Sequence, residues 1–201
     1  VSVYGPAEIE ELCRTYRFDL VQAPASILDR RLLNSGWVAR LASQGVELHL
    51  RSVFLQGLLL MPRTELPPGF ARWDPLWDIW HSHLRDSGQS ALQACLRYAV
   101  AMPNVHRIVV GVDGLTHLQE ILQAAAGDGL TPPSSLHADD DDLLNPRSLH
   151  QEHGSARERE ERHEHSQSAA RLRHAELDIV DEDGIPLRDG RLSERLECEC
   201  A

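Results

Sequence analysis

The residues best placed to do chemistry are Ser2, Gln22, the pair Arg51 and Ser52, and Gly111, each standing where a short apolar run ends. A polar side chain at such a position is costly unless it finds a partner. Where strands run parallel and alternate with helices, their carboxyl ends are where ligands bind. Gln22 is the sharpest case, because its amide both donates and accepts and so matches a planar carboxamide. The competing reading makes all five loop-start residues satisfied by backbone. A second candidate is the turn Gly111-Val-Asp-Gly114, between an apolar run and a helix for which Thr116 offers a cap. Free backbone N–H groups and the helix dipole would converge there on an anion, although the turn is neither a GxGxxG nor a Walker loop.

Other groups are read more plainly. Trp73, Trp77 and Trp80 fall at i, i+4, i+7, the spacing of a packing stripe. His81 with His83, and His163 with His165, stand two apart, which on a helix puts them on different faces. Cys198 and Cys200 have no second pair to complete a metal set, and Asp181-Glu-Asp-Gly184 does not fit a calcium loop. Asp139 to Asp142 reads as a solvated charge run. With Cys13 and Cys95 the cysteines show no disulfide framework, so reduced thiols and a cytoplasmic location are expected. A net charge of −11 argues against nucleic acid or an anionic membrane as the main partner. No run reaches the roughly 18 apolar residues of a membrane helix, and the amino terminus shows no signal pattern. All twenty basic residues are arginine.

These positions need elements to hold them. Val1 to Tyr4 reads as the end of a strand, Ala7 to Tyr16 as a helix and Phe18 to Gln22 as a strand ended by Pro24. Ser26 caps a helix from Ile27 to Ser43, stopped by Gly45. Val46 to Val53 is a strand and Phe54 to Met61 an apolar loop. Helices follow over Phe70 to Leu84 and, capped by Ser90, Ala91 to Ala101. The run Ile108 to Val112 is a buried strand, and Leu118, Ile121 and Leu122 share one face of the helix after it. This alternation predicts an α/β fold with a parallel sheet and right-handed crossovers. Four such units are half of a (β/α)8 barrel, whose full length is about 250 residues.

Residues 1–126 are thus expected as the folded half-barrel and 127–150 as a linker with a short terminal helix around Asp139 to Asn145. Residues 151–201 are expected as an acidic, disordered tail, since they hold 14 Asp and Glu, 8 Arg and no aromatic residue. Leu177 to Leu192 offers a weak hairpin around Asp183-Gly184. The chain opens at Val1, inside an expected strand, which reads as a piece cut at its left edge.

With these pieces in place, the first 150 residues resemble the carboxyl-terminal half of an aldo/keto reductase, of bacterial type. The resemblance is carried by Val1-Ser-Val-Tyr4, Phe18-Asp-Leu-Val-Gln22, Leu28-Asp-Arg-Arg31, Arg51-Ser-Val-Phe-Leu-Gln-Gly-Leu58, Val109-Val-Gly-Val-Asp113 with Leu118-Gln-Glu120, and the closing Leu143-Leu-Asn-Pro146. It implies that the four strands are the fifth to eighth of the barrel, and that NADP or NAD is the cofactor. Ser2 and Gln22 would hold the nicotinamide carboxamide. Arg51 would stand where the family often stacks an aromatic ring, while Ser52, Gln56 and Leu58 would line the pyrophosphate path. Gly111, Asp113, His117 and Glu120 would surround the adenosine end. The sequence departs from the family pattern at Val3, where an Asn is usual, and at Arg51.

The family's catalytic Asp, Tyr, Lys and His come from the other half of the barrel, so no catalytic residue is expected in this chain, which has no lysine. The resemblance implies carbonyl/alcohol hydride transfer by an enzyme of which these residues supply the cofactor-binding half. A missing amino-terminal half-barrel or self-association would cover the exposed sheet. A non-catalytic dinucleotide-binding or regulatory protein, or an inactive truncated remnant, stays open beside it.

Overall fold

Alternation of buried and less buried positions along Leu20–Pro24 and Arg107–Gly111, with a buried run Leu48 to Leu50 between them, sets the architecture. The computed structural model describes residues 1–129 and 131–145, with the backbone of two further strands, His174–Ile179 and Leu196–Cys198. The elements are α1 (Pro6–Thr15), β1 (Leu20–Pro24), α2 (Arg31–Asn34), α3 (Trp37–Ser43), β2 (Glu47–Arg51), α4 (Asp74–Ser87), α5 (Ala91–Val100), β3 (Arg107–Gly111), α6 (Leu115–Ala125), α7 (Asp141–Leu144), β4 (His174–Ile179) and β5 (Leu196–Cys198). Three short 3-10 turns lie between β2 and α4.

The sheet order is β1-β2-β3-β4-β5. β1, β2 and β3 run parallel, as expected of a β-α-β-α chain. The expected opening strand survives as a single parallel bridge between Ser2 and Gln22, closed by Val3 N–H on Gln22 O at 2.9 Å. β4 then adds antiparallel to β3, and β5 antiparallel to β4. Both strands lie within the stretch expected as an acidic tail, and β4 takes up the backbone groups at the far edge of β3. The rest of the expected hairpin, the side chains of Cys198 and Cys200, and His163, His165 and Asp181 to Gly184 lie outside the described residues.

Val21, Ala23, Leu48, Leu50, Ile108 and Val110 all face one side, where they form a core with Ile9, Leu41, Leu96 and Ile121 of the helices. The intervening residues occupy the opposite face. There the register sets Ser2, Gln22, His49 and Arg107 side by side in one row across the sheet. His49 is only 3% exposed, and its Nε2 lies 3.3 Å from Glu47 Oε2.

Several expected elements shift, for local reasons. The helix read over Ile27 to Ser43 is two, broken at Gly36, whose φ of 78° a helix does not tolerate. Ser26 caps a tight turn instead, its Oγ accepting from the Leu28 and Asp29 N–H groups at 3.3 and 3.0 Å. Ser90 does cap α5, through a reciprocal capping box with Gln93. The cap expected of Thr116 belongs to Gly114, since α6 starts at Leu115.

A second core gathers Phe70, Trp77 and Trp80 with Leu55, Leu58, Leu136, Leu143 and Leu144. Trp77 and Trp80 are fully buried, their indole N–H groups donating to Phe70 O and Leu59 O at 3.1 Å. These two form the packing stripe expected, while Trp73 stands in the 3-10 turn before α4 and is only partly buried. Residues 131–145, read as a linker with a terminal helix, join this core, and Ala138 N–H bonds Leu28 O at 2.9 Å. Among the described residues no helix is long and apolar enough to cross a membrane.

Candidate functional site

The loop after β2 carries the strain. Ser52, Leu55 and Gln56 have φ of 60°, 49° and 56°, and Gly57 follows at 89°. Left-handed backbone at non-glycine residues is costly and clusters where a loop is held for a purpose. Here the loop curls over the carboxyl end of β2, tied by Leu55 N–H to Ser52 O and Gly57 N–H to Phe54 O at 2.9 and 3.0 Å.

Beneath it is a cavity of about 350 Å³ lined by Tyr4, Arg31, Arg51, Ser52, Gln56, Asp141 and Asn145, among others. Arg51, Ser52 and Gln56 are thus brought together on one cavity. Arg51 donates from Nη1 to Ser52 Oγ at 3.2 Å and from Nη2 to Val3 O at 2.9 Å. Its guanidinium sits 5.1 Å from the centre of the Tyr4 ring, within cation–π range. Among the described residues it has no carboxylate partner, so its charge is available to a ligand.

Ser2 and Gln22 are not among the residues lining the cavity; they pair with each other, Ser2 Oγ donating to Gln22 Oε1 at 3.4 Å. Each offers the other a partner without burying either completely. Leu58 is different. Its side chain is 1% exposed in the second core, and its backbone N–H and C=O are engaged with Leu55 O and Met61 N–H at 3.1 and 3.3 Å. Gly111, Asp113, His117 and Glu120 do not line the cavity. They form a separate, exposed group where β3 meets α6, with Asp113 N–H donating to His117 Nδ1 at 3.4 Å.

Arg31, Asp141 and Asp142 also line the cavity, from positions with no expected ligand-holding role. Asp29, with its side chain only 5% exposed, takes the Arg31 guanidinium in a fork, Nε to Oδ1 at 2.9 Å and Nη2 to Oδ2 at 3.0 Å. That hydrogen-bonded carboxylate raises the Arg31 pKa above its ordinary range. Arg31 Nη1 is left over and donates to Asp141 Oδ1 at 2.5 Å. Asp142 accepts from Arg72 Nη2 at 2.6 Å and Asp140 from Trp73 Nε1 at 3.1 Å. The acidic run read as merely solvated is therefore a strap tied to the body by three successive aspartates, two of which line the cavity. The acids nevertheless remain exposed.

A parallel α/β sheet with a polar cavity at its strand ends is consistent with part of a (β/α)8 barrel and its ligand-bearing edge. Residues 1–132 match the aldo/keto reductase family, and the chain belongs to that family. Two solved structures are similar to it, the holo and apo forms of aldo-keto reductase AKR11C1 from Bacillus halodurans. Their identities are 21% and 20%, each with a TM-score of 0.48, covering 72% of this chain and 48% of that one. The chain spans about half the length of these solved relatives. No curated protein sequence matches it.

Proposed function

We propose that the chain supplies the dinucleotide-holding part of an NAD(P)-dependent oxidoreductase that interconverts carbonyls and alcohols. The observation that carries this reading is the convergence of Arg51, Ser52 and Gln56 on one cavity at the carboxyl ends of the parallel strands. The donor set suits the group. Arg51, with no carboxylate partner among the described residues, brings a positive charge beside the pyrophosphate path of Ser52 and Gln56, and the Gln22 amide has the donor and acceptor that a carboxamide needs. Gly111, Asp113, His117 and Glu120 would hold the adenosine end, where Gly111 leaves open space for close approach. When bound, the nicotinamide supplies the hydride.

This chain's own residues would bind and orient. Its 201 residues contain no lysine, so the family's Asp, Tyr, Lys and His set cannot be assembled from them. A complementary half-barrel, or a second copy of the chain, would have to cover the open sheet face. The absent lysine also favours a second reading, dinucleotide binding without turnover.

Calorimetric titration with NADPH and NADH tests the binding, and nicotinamide absorbance with an aldehyde tests the chemistry. Binding is expected, weakened about tenfold by Gln22→Ala, the loss of roughly 1.4 kcal/mol. No turnover is expected from the chain by itself. Absence of dinucleotide binding would sink the proposal; turnover would sink the claim that the catalytic set lies elsewhere.

A further inference from the structure

We propose that Arg31 anchors an oxyanion of the ligand, a phosphate or a carboxylate, and that Asp141 holds that place until the ligand displaces it. The inference rests on reading this cavity as the ligand site and adds an anchor to it.

The geometry divides the Arg31 guanidinium into two working edges. Nε and Nη2 are spent on Asp29, which is buried and cannot be withdrawn cheaply. This fixes the plane of the guanidinium and points Nη1 away from Asp29, at the cavity it lines. The partner found there is of the opposite kind. The Asp141 side chain is 87% exposed and stands on a helix of four residues. An exposed ion pair is worth little, about 0–1 kcal/mol. A doubly charged anion that also reaches Arg51, which has no carboxylate of its own among the described residues, outbids a single exposed aspartate. Arg31 thus resembles a lock already turned by a removable key: rigid on one side, exchangeable on the other.

A purely structural role for the Arg31–Asp141 pair, clamping the strap to the body, is served already by Asp140 on Trp73, Asp142 on Arg72, and burial of Leu143 and Leu144. Removing Asp141 should leave the strap in place and Nη1 vacant.

The experiment compares the full chain with Asp141→Asn and Asp142→Asn, titrated at low ionic strength with inorganic pyrophosphate and, separately, malonate. Neither probe contains a nucleotide, so this proposal and dinucleotide binding can fail independently. D141N should bind at least one anion about threefold or more tightly than the parent, with the gain shrinking in added salt. D142N removes the same charge from the same cavity without touching Arg31, and should leave affinity nearly unchanged. A gain for pyrophosphate alone assigns the anion to the dinucleotide, and one for malonate alone to a substrate carboxylate. Equal affinities of parent and D141N for both anions overturn the proposal. So does an equal gain in D142N, which would reduce the effect to net charge.

Discussion

Asp29 sets the direction of Arg31, and its worth is measurable. Asp29→Asn keeps the shape but weakens the fork and leaves Arg31 without its buried counter-charge. The expected cost is about 1–3 kcal/mol, read as a lower urea midpoint at unchanged slope. An unaltered midpoint would mean that the fork does not hold the turn. At this scale the sequence was partly legible. Arg51, Ser52 and Gln56 lie within six positions, and a local motif brings them together. Arg31 and Asp141 are 110 positions apart, and no spacing pattern reports a contact that the second core creates by folding residues 131–145 back on the body. Leu58 errs in the other direction, since a motif marks a position and does not say whether the side chain faces outward.

Among the elements, α4 carries the clearest response to pH. His81 has its Nε2 buried without a hydrogen-bond partner in the described structure. Burial, then the charges of Arg63 and Arg85, lower its pKa, with Asp78 opposing. His83 is lowered too, by burial first and by Arg30. A depressed histidine pKa means that the unfolded chain binds the proton more readily, so stability is fully present above the ordinary histidine value and falls as pH drops below it. The Tm should therefore decline from about pH 7.5 to about pH 5.5, on either side of that ordinary value. His81→Gln should make the decline shallower, with His83 sustaining the remainder. A Tm that stays flat over that interval rules the effect out. Regular periodicity made α1, α5 and α6 legible, because α1 and α6 bury one stripe against the sheet and α5 buries Leu96 and Ala99 there and Ala94 and Cys95 in the second core. The stretch from Ile27 to Ser43 misled because its apolar spacing continues through Gly36, while the backbone does not.

For the whole molecule, the edge of β3 matters most. In the structure β4 pairs with it residue by residue, Arg107 opposite Asp178 through Gly111 opposite His174. Ending the chain at Asn145 should expose that edge, and exposed edges recruit other strands. The shortened protein is expected to associate on size-exclusion chromatography, more so than the full chain at equal concentration. A shortened chain that elutes as a monomer would show that the edge needs no cover. The parallel order of β1, β2 and β3 was legible from the alternation of strands and helices. The antiparallel addition of β4 was not, because composition in that region speaks for solvation and a free edge is a property of the assembled sheet.

The row of Ser2, Gln22, His49 and Arg107 across the open face has a consequence for assembly. A cover made only of aliphatic side chains would strip water from the exposed Ser2 hydroxyl and the half-buried Gln22 amide, at about 1–3 kcal/mol for each donor or acceptor left unmatched. A cover that presents donors and acceptors in the same order avoids that loss. The face therefore discriminates among the surfaces that could close over it, and sheer greasiness does not qualify.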